Sequence, residues 1–295
     1  MTPARDLIGY GATPPDPRWP GGARVAVQFV INYEEGAENS VLNGDAGSEA
    51  FLSEMVGAAS HPDRAMAMES LYEYGARAGF WRLHRLFTER ALPVTVFGVA
   101  RALEMNPTAV EAMLAADWEI ASHGLRWIDY QIVPERIERA HIAEAIALHT
   151  RLTGTRPLGW YQGRTSPNTA RLIAEEGGFA YDADSYADDL PYWDRRHADA
   201  QLIVPYTLDA NDMKFVAQNG FTEGDQFFRY LRDTFEQLRS EGGRMMSIGL
   251  HARIAGRPAR ALALAKFLDH VIASGDAWVA RRIDIARQWM EVHPA

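Results

Sequence analysis

The chain has 295 residues, 47% hydrophobic and 23% charged, with 39 acidic against 30 basic side chains and a formal net charge of -9. This length suits one large α/β domain, and the acidic balance argues against a nucleic-acid surface or an anionic membrane as partner. The absence of cysteine excludes disulfides, thiol nucleophiles and thiolate-ligated zinc or iron–sulfur centres. The opening stretch "MTPARDLIGYGATPPDPRWPGG" is rich in Pro and Gly and has no apolar core of signal-peptide length. It reads as an extended arm over residues 1–22. No apolar run is long enough to cross a bilayer, so the expectation is a cytoplasmic chain without a membrane partner. No repeat or linker divides the sequence, and a single domain over residues 1–295 is expected.

After the arm, strand and helix patterns alternate. "RVAVQFVIN" (24–32) is a buried strand, and "ESLYEYGARAGFWRLHRLFTER" (69–90) places Leu71, Phe80, Leu83, Leu86 and Phe87 at mostly helical spacing. "VTVFGVA" is the next strand. In "NPTAVEAMLAAD", Asn106 takes an N-cap and Pro107 the first helical position. "WEIASHG" is a third strand, and "PERIERAHIAEAIALHTRLTG" a long amphipathic helix closed by Gly154. "LGWYQGR" is a strand and "SPNTARLIAEEGG" a helix. "LIVPYTL", "MMSIGL" and "AWVARR" are later strands, and "GDQFFRYLRDTFEQLRS" and "RPARALALAKFLDHVIA" later helices. This rhythm predicts a parallel sheet covered by helices. About seven β/α units favour a distorted (β/α) barrel resembling a TIM barrel over an open doubly wound sheet. No G-x-G-x-x-G follows the first strand, so nothing points to a dinucleotide.

In such folds the chemistry sits at the C-terminal ends of the strands. There the sequence carries Glu34 and Glu35, then Ser122 and His123 with Arg126 and Trp127, then Tyr161 and Arg164. His251 follows, with Arg253, Arg257 and Arg260. Singly, each has a plain structural role: acidic pairs on loops are mostly solvated, and a lone histidine is mostly a hydrogen-bonded structural residue. Their recurrence at one end of several strands points to a common pocket. "DADSYADD" lacks the ligand spacing and closing Glu of a calcium loop.

These residues also carry a resemblance. "NYEEG" (32–36), "HGLRW" (123–127), "GRTSPN" with Arg164 and Pro167, and Leu250-His251 resemble successive motifs of the polysaccharide deacetylase (NodB-like) family, whose members form a distorted β/α barrel. The longer strings "RDLIGYG", "VINYEEG", "SEAFLSEM", "MESLYEYGARAG", "SHGLRWIDYQ", "GWYQGRTSPNT", "DDLPYW", "DANDM", "SIGLHARIAGRPAR" and "RRIDIARQW" resemble the allantoinases recruited from that family into purine catabolism. The resemblance covers about residues 5–289. It implies an amidohydrolase that opens the hydantoin ring of allantoin to allantoate, a small ureide as substrate, and a homotetramer.

The family's metal-ligand positions fall on Glu35, His123 and Trp127. An indole offers only an N–H donor, and a catalytic zinc ordinarily takes three protein ligands plus water. The resemblance therefore implies no tightly bound divalent metal and no other cofactor. Candidate catalytic residues are Glu35 or Glu34 as base, His123 to orient it, Arg164 on a carbonyl or oxyanion, and His251 as proton donor. Trp127, Tyr161 and Arg257 are candidate substrate-binding residues. Glu35 is favoured over Glu34 because it falls on a ligand position, although adjacent strand residues face opposite ways and only one glutamate need enter the pocket. A metal-dependent carbohydrate or peptidoglycan N-deacetylase, a hydrolase of another cyclic ureide or imide, and a catalytically silent binding barrel stay open at this level.

Overall fold

A computed structural model describes residues 5–197 and 200–295; residues 1–4 of the expected arm lie outside them. Among the described residues, nine strands form one sheet: β1 (Val25–Tyr33), β2 (Thr95–Gly98), β3 (Glu119–Ser122), β4 (Gly159–Trp160), β5 (Tyr181–Asp182), β6 (Tyr192–Asp194), β7 (Gln201–Ile203), β8 (Arg244–His251) and β9 (Ala277–Val279). Seven run parallel in the order β7-β5-β4-β3-β2-β1-β8. β6 pairs antiparallel at one edge, and β9 pairs with the start of β1. Helices α1 (Met66–Tyr74), α2 (Phe80–Thr88), α3 (Ala100–Met105), α4 (Pro107–Ala115), α5 (Glu135–Thr153), α6 (Thr169–Glu176), α7 (Gly224–Glu241), α8 (Pro258–Ser274) and α9 (Arg282–Val292) accompany it. The sheet curls into the expected distorted barrel. Across the gap between its edges, Gly249 N–H donates to the Ala210 carbonyl at 3.0 Å and Met245 N–H to the Asp189 carbonyl at 3.0 Å. None of the described helices is long and apolar enough to cross a membrane.

β1 organises the barrel, and all nine of its residues are buried. Its odd positions Val27, Phe29, Ile31 and Tyr33 face the helices; Phe29 meets Phe87 of α2 at 5.3 Å and Phe267 of α8 at 6.2 Å, and Tyr33 meets Phe80 at 5.4 Å. Its even positions face the barrel interior. Asn32 donates to the Tyr206 hydroxyl at 2.9 Å, and Gln28 accepts from the fully buried Arg282 at 2.6 Å. Arg282 also donates to Ser247 and to the carbonyls of Val204 and Pro205, beneath the rings of Phe97, Tyr181 and Tyr206. β1 lies inside a parallel sheet that is covered on both faces, so its polar side chains must find partners inside.

The described part of the arm docks on its own barrel. Tyr10 donates to the Pro191 carbonyl at 2.7 Å, the buried Trp19 indole donates to the Arg244 carbonyl at 2.9 Å, and Gln288 of α9 donates to the carbonyls of Pro17 and Arg18. Asn106 caps α4 through the Ala109 N–H, and Gly154 ends α5 at φ 82°, both as expected. The single helix expected over 69–90 is instead α1 and α2 joined by a π-turn, Gly75–Gly79. Two glycines make that turn possible. A Cβ on Gly75 would collide with the Glu35 carboxylate, and one on Gly79 with the backbone carbonyl of Ala252 just after β8. α3, β5, β6 and α9 were not foreseen: the first three are too short for periodicity, and α9 lies in a stretch noted only for its resemblance.

Backbone cannot retreat as a flexible side chain does, so Gly79→Ala is expected to cost about 1–3 kcal/mol of stability. The outward-facing Arg77, whose side chain is 79% exposed, should tolerate Arg77→Ala within about 0.5 kcal/mol. Urea unfolding midpoints of the two variants against wild type measure the difference.

Candidate active site

The strand ends meet as the barrel requires. Glu34 continues the inward parity of Gln28 and Asn32, at the end of β1. His123 follows β3, and His251 ends β8. Glu34 Oε1 lies 3.3 Å from His123 Nε2 and 3.6 Å from His251 Nε2, and its Oε2 accepts from Arg253 Nη1 at 2.6 Å. All four side chains are buried. Behind His251 stands Asp212, fully buried. It accepts from His251 Nδ1 at 2.6 Å, and its second oxygen accepts from the backbone N–H groups of His251 at 2.7 Å and Ala255 at 2.9 Å. Donation from Nδ1 to Asp212 turns the Nε2 edge of His251 toward Glu34.

Electrostatics separates the two glutamates. Burial penalises the Glu34 carboxylate, but the guanidinium of Arg253, and then His251 and His123, hold it well below the usual carboxylate range. Glu35 is pushed up to about 7 by burial and by the charge of Glu34, against the pull of Arg253. His251 loses by burial and gains more from Asp212 and Glu34, so it stays protonated above its ordinary value. The cluster thus pairs an ionised carboxylate with an imidazole biased toward imidazolium.

The sequence favoured Glu35 over Glu34 as base; strand parity places Glu34, and not Glu35, against the two histidines. Glu35 shares the outward parity of Tyr33 and turns under the π-turn at Gly75. Its Oε2 accepts the Glu34 N–H at 3.1 Å, and its Oε1 has no hydrogen-bond partner among the described residues. Arg257 does not join the cluster either. It lies at the N-terminus of α8, its guanidinium over the Tyr74 ring at 3.6 Å and 4.0 Å from Glu54. Arg164 is close by but not on Glu34: its guanidinium lies over the rings of Phe51 at 5.0 Å and Trp127 at 5.1 Å, with Glu49 at 3.7 Å. Trp127 is buried, stacks with Phe51 and lies 5.4 Å from the Arg253 guanidinium. Tyr161 stacks on Phe97 and lies 4.9 Å from the His123 ring, its hydroxyl paired with Tyr186 at 2.9 Å.

Two members of the cluster were missed. Arg253 stood among the arginines noted after His251, and Asp212 stands in "DANDM", which has no periodicity to place it. The nearby Arg126 is structural: it binds the carbonyls of Ala37 and Glu38 and the carboxylate of Asp45, and so ties down the loop after β1.

The donors do not fit a divalent metal. Of the family's three ligand positions, Glu35 is turned away and Trp127 has no lone pair to give. The carboxylate that does face the histidines carries a guanidinium at 2.6 Å. Among the described residues, no group of three or more His, Cys, Asp or Glu is arranged to hold a metal ion.

The fold and cluster define a β/α barrel with its polar centre at the C-terminal ends of the strands. Comparison with known proteins places it further. The polysaccharide deacetylase family model matches residues 62–181. A Schizosaccharomyces pombe protein assigned to the polysaccharide deacetylases is 40% identical over 100% of this chain and 99% of its own length. The chain belongs to the polysaccharide deacetylase family. Among solved structures, a protein of Pseudomonas aeruginosa PAO1 assigned to the same family is 57% identical, covers 99% of both chains and superposes with a TM-score of 0.97. PuuE allantoinase is 54% identical over 100% of both chains, with a TM-score of 0.98.

His251 is expected to titrate above the ordinary imidazole range of about 6.5, and Asp212→Asn, which removes the anion that stabilises imidazolium, should bring it down. Imidazole NMR titration, with the His251 signal assigned by its loss in His251→Gln, reads this directly. An unchanged titration in Asp212→Asn would break the link between the two groups.

Proposed function

We propose that this protein is an allantoinase, a hydrolase that opens the hydantoin ring of allantoin to give allantoate. The observation that carries the reading is the full-length likeness to PuuE allantoinase, in a barrel whose central carboxylate is paired with a guanidinium. The chemistry suits such a site. The nitrogen released on ring opening is flanked by two carbonyls and leaves as a delocalised ureide, so it needs less electrophilic help than the acetamide of a sugar.

Glu34 takes a proton from the attacking water. His123, 3.3 Å away, orients that carboxylate or the water. His251, kept protonated by Asp212, gives a proton to the leaving nitrogen through Nε2. Trp127 and Tyr161 wall the ring, and Arg164, beside Trp127, binds the ureide portion. Glu35 stays outside the reaction, and no divalent metal takes part. General acid–base catalysis of this kind contributes roughly 10²–10⁴-fold. A cytoplasmic setting and a homotetramer belong to the same proposal, carried by the resemblance; light scattering at working concentration is expected to give four times the chain mass of 32.9 kDa, and a monomer would remove the tetramer.

The central test is conversion of allantoin to allantoate by chelator-treated enzyme. Glu34→Gln should lose about 10²–10⁴-fold in kcat, whereas Glu35→Gln, which mimics the neutral acid, should stay within about tenfold. Near-wild-type turnover by Glu34→Gln would remove it as base. Activity lost to chelator and restored by zinc would overturn the metal-free part of the proposal.

A further inference from the structure

Arg253 is the most conspicuous cation of the site and the least used. Its side chain is 4% exposed, and its one hydrogen bond runs from Nη1 to Glu34. Nε and Nη2 are buried and have no partner among the described residues. The guanidinium lies over the ring of Tyr72 at 4.4 Å and that of Trp127 at 5.4 Å. An unpaired buried donor is costly, and more so when charged. Both nitrogens of the His123 ring are likewise without a hydrogen-bond partner; the 3.3 Å approach to Glu34 does not have hydrogen-bond geometry. Free donors on a buried, aromatic-walled cation, beside an ionised carboxylate, form the arrangement that stabilises a developing oxyanion.

We propose that Arg253 is a catalytic residue: its free N–H groups receive the carbonyl oxygen of the scissile amide as that oxygen becomes an oxyanion, while Nη1 holds Glu34 in place. The inference rests on the allantoinase reading and gives Arg253 the oxyanion role that the sequence had assigned to Arg164. Water forms the new C–O bond and gives its proton to Glu34. The carbonyl π pair moves onto oxygen, beside Arg253. When the pair returns, the C–N bond breaks and the nitrogen takes a proton from His251 Nε2. The proton on Glu34 then passes to His251, whose Nε2 is 3.6 Å from Glu34 Oε1, and both groups are reset. The net change is one water added across the C–N bond.

The rival role for Arg253 is to hold the charge of Glu34 and nothing more, and Arg253→Lys separates the two. Lysine keeps the cation and loses the planar fork. If Arg253 holds the oxyanion, Arg253→Lys should lose about 10²–10³-fold in kcat with KM changed only a few-fold. Arg253→Ala should lose more, move the acid limb of kcat/KM to higher pH because Glu34 is no longer held ionised, and be partly rescued by free guanidinium but not by ammonium. Turnover by Arg253→Lys within about threefold of wild type, or equal rescue of Arg253→Ala by ammonium, would overturn the proposal. Circular dichroism checks both folds, and Arg253→Lys carries the comparison alone if Arg253→Ala does not fold. Wild-type protein that leaves allantoin untouched would instead overturn the functional reading, so the two failures are distinguishable.

Discussion

The buried pair between Glu34 and Arg253 is the constraint around which the rest of the site is arranged. Removing one partner of such a pair typically costs 3–5 kcal/mol, because the remaining charge is left dry and alone. The protein commits several elements to keeping both. Parity along β1 turns Glu34 inward. The chain beyond β8 brings Arg253 across to it, and the backbone of that turn is bolted to Asp212 through the N–H groups of His251 and Ala255. Tyr72 from α1 and Trp127 from the loop after β3 close on the guanidinium. Two charges that would be expensive separately are cheap together, and their neighbours are polarised by them.

Two features set this site apart from the ligand pattern that the family resemblance implies. An indole has replaced an imidazole at one ligand position, and the next glutamate has turned outward. The positive charge at the central carboxylate is carried by the chain. The direction of that guanidinium is fixed by aromatic packing. In the proposed reaction, a cyclic imide-like bond with an already delocalised leaving group asks less of an electrophile than a sugar acetamide does.

Much of this was readable in the sequence. Alternating strand and helix patterns with no dinucleotide fingerprint point to a β/α barrel, and strand ends in such a barrel converge, which is why His123 and His251 stood out. The orientation of the glutamates was also written there: Gln28 and Asn32, the polar residues inside an otherwise apolar strand, share parity with Glu34 and not with Glu35. That signal lost to the motif position of Glu35. Choosing Arg253 over Arg257 depended on the turns between His251 and α8, where nearby arginines end up in different places with no period to sort them. Asp212 was hidden for a related reason. It lies in a loop, and its importance comes from backbone N–H groups about forty residues away, a contact that no local pattern encodes.

The π-turn between α1 and α2 explains why that helix read only approximately as periodic. At about 100° per residue, Tyr72 and Phe80 on an unbroken α-helix would point about 80° apart. The residue absorbed by the wider turn takes up roughly one residue's rotation, so both rings come back to the inner side: Tyr72 against Arg253, and Phe80 against Tyr33. One helix thereby serves the buried polar cluster with its first half and the apolar core with its second. A mid-helix phase slip in the apolar pattern, flanked by glycines and free of proline, is thus the written trace of a place where a polar layer and a packing layer had to be brought into register.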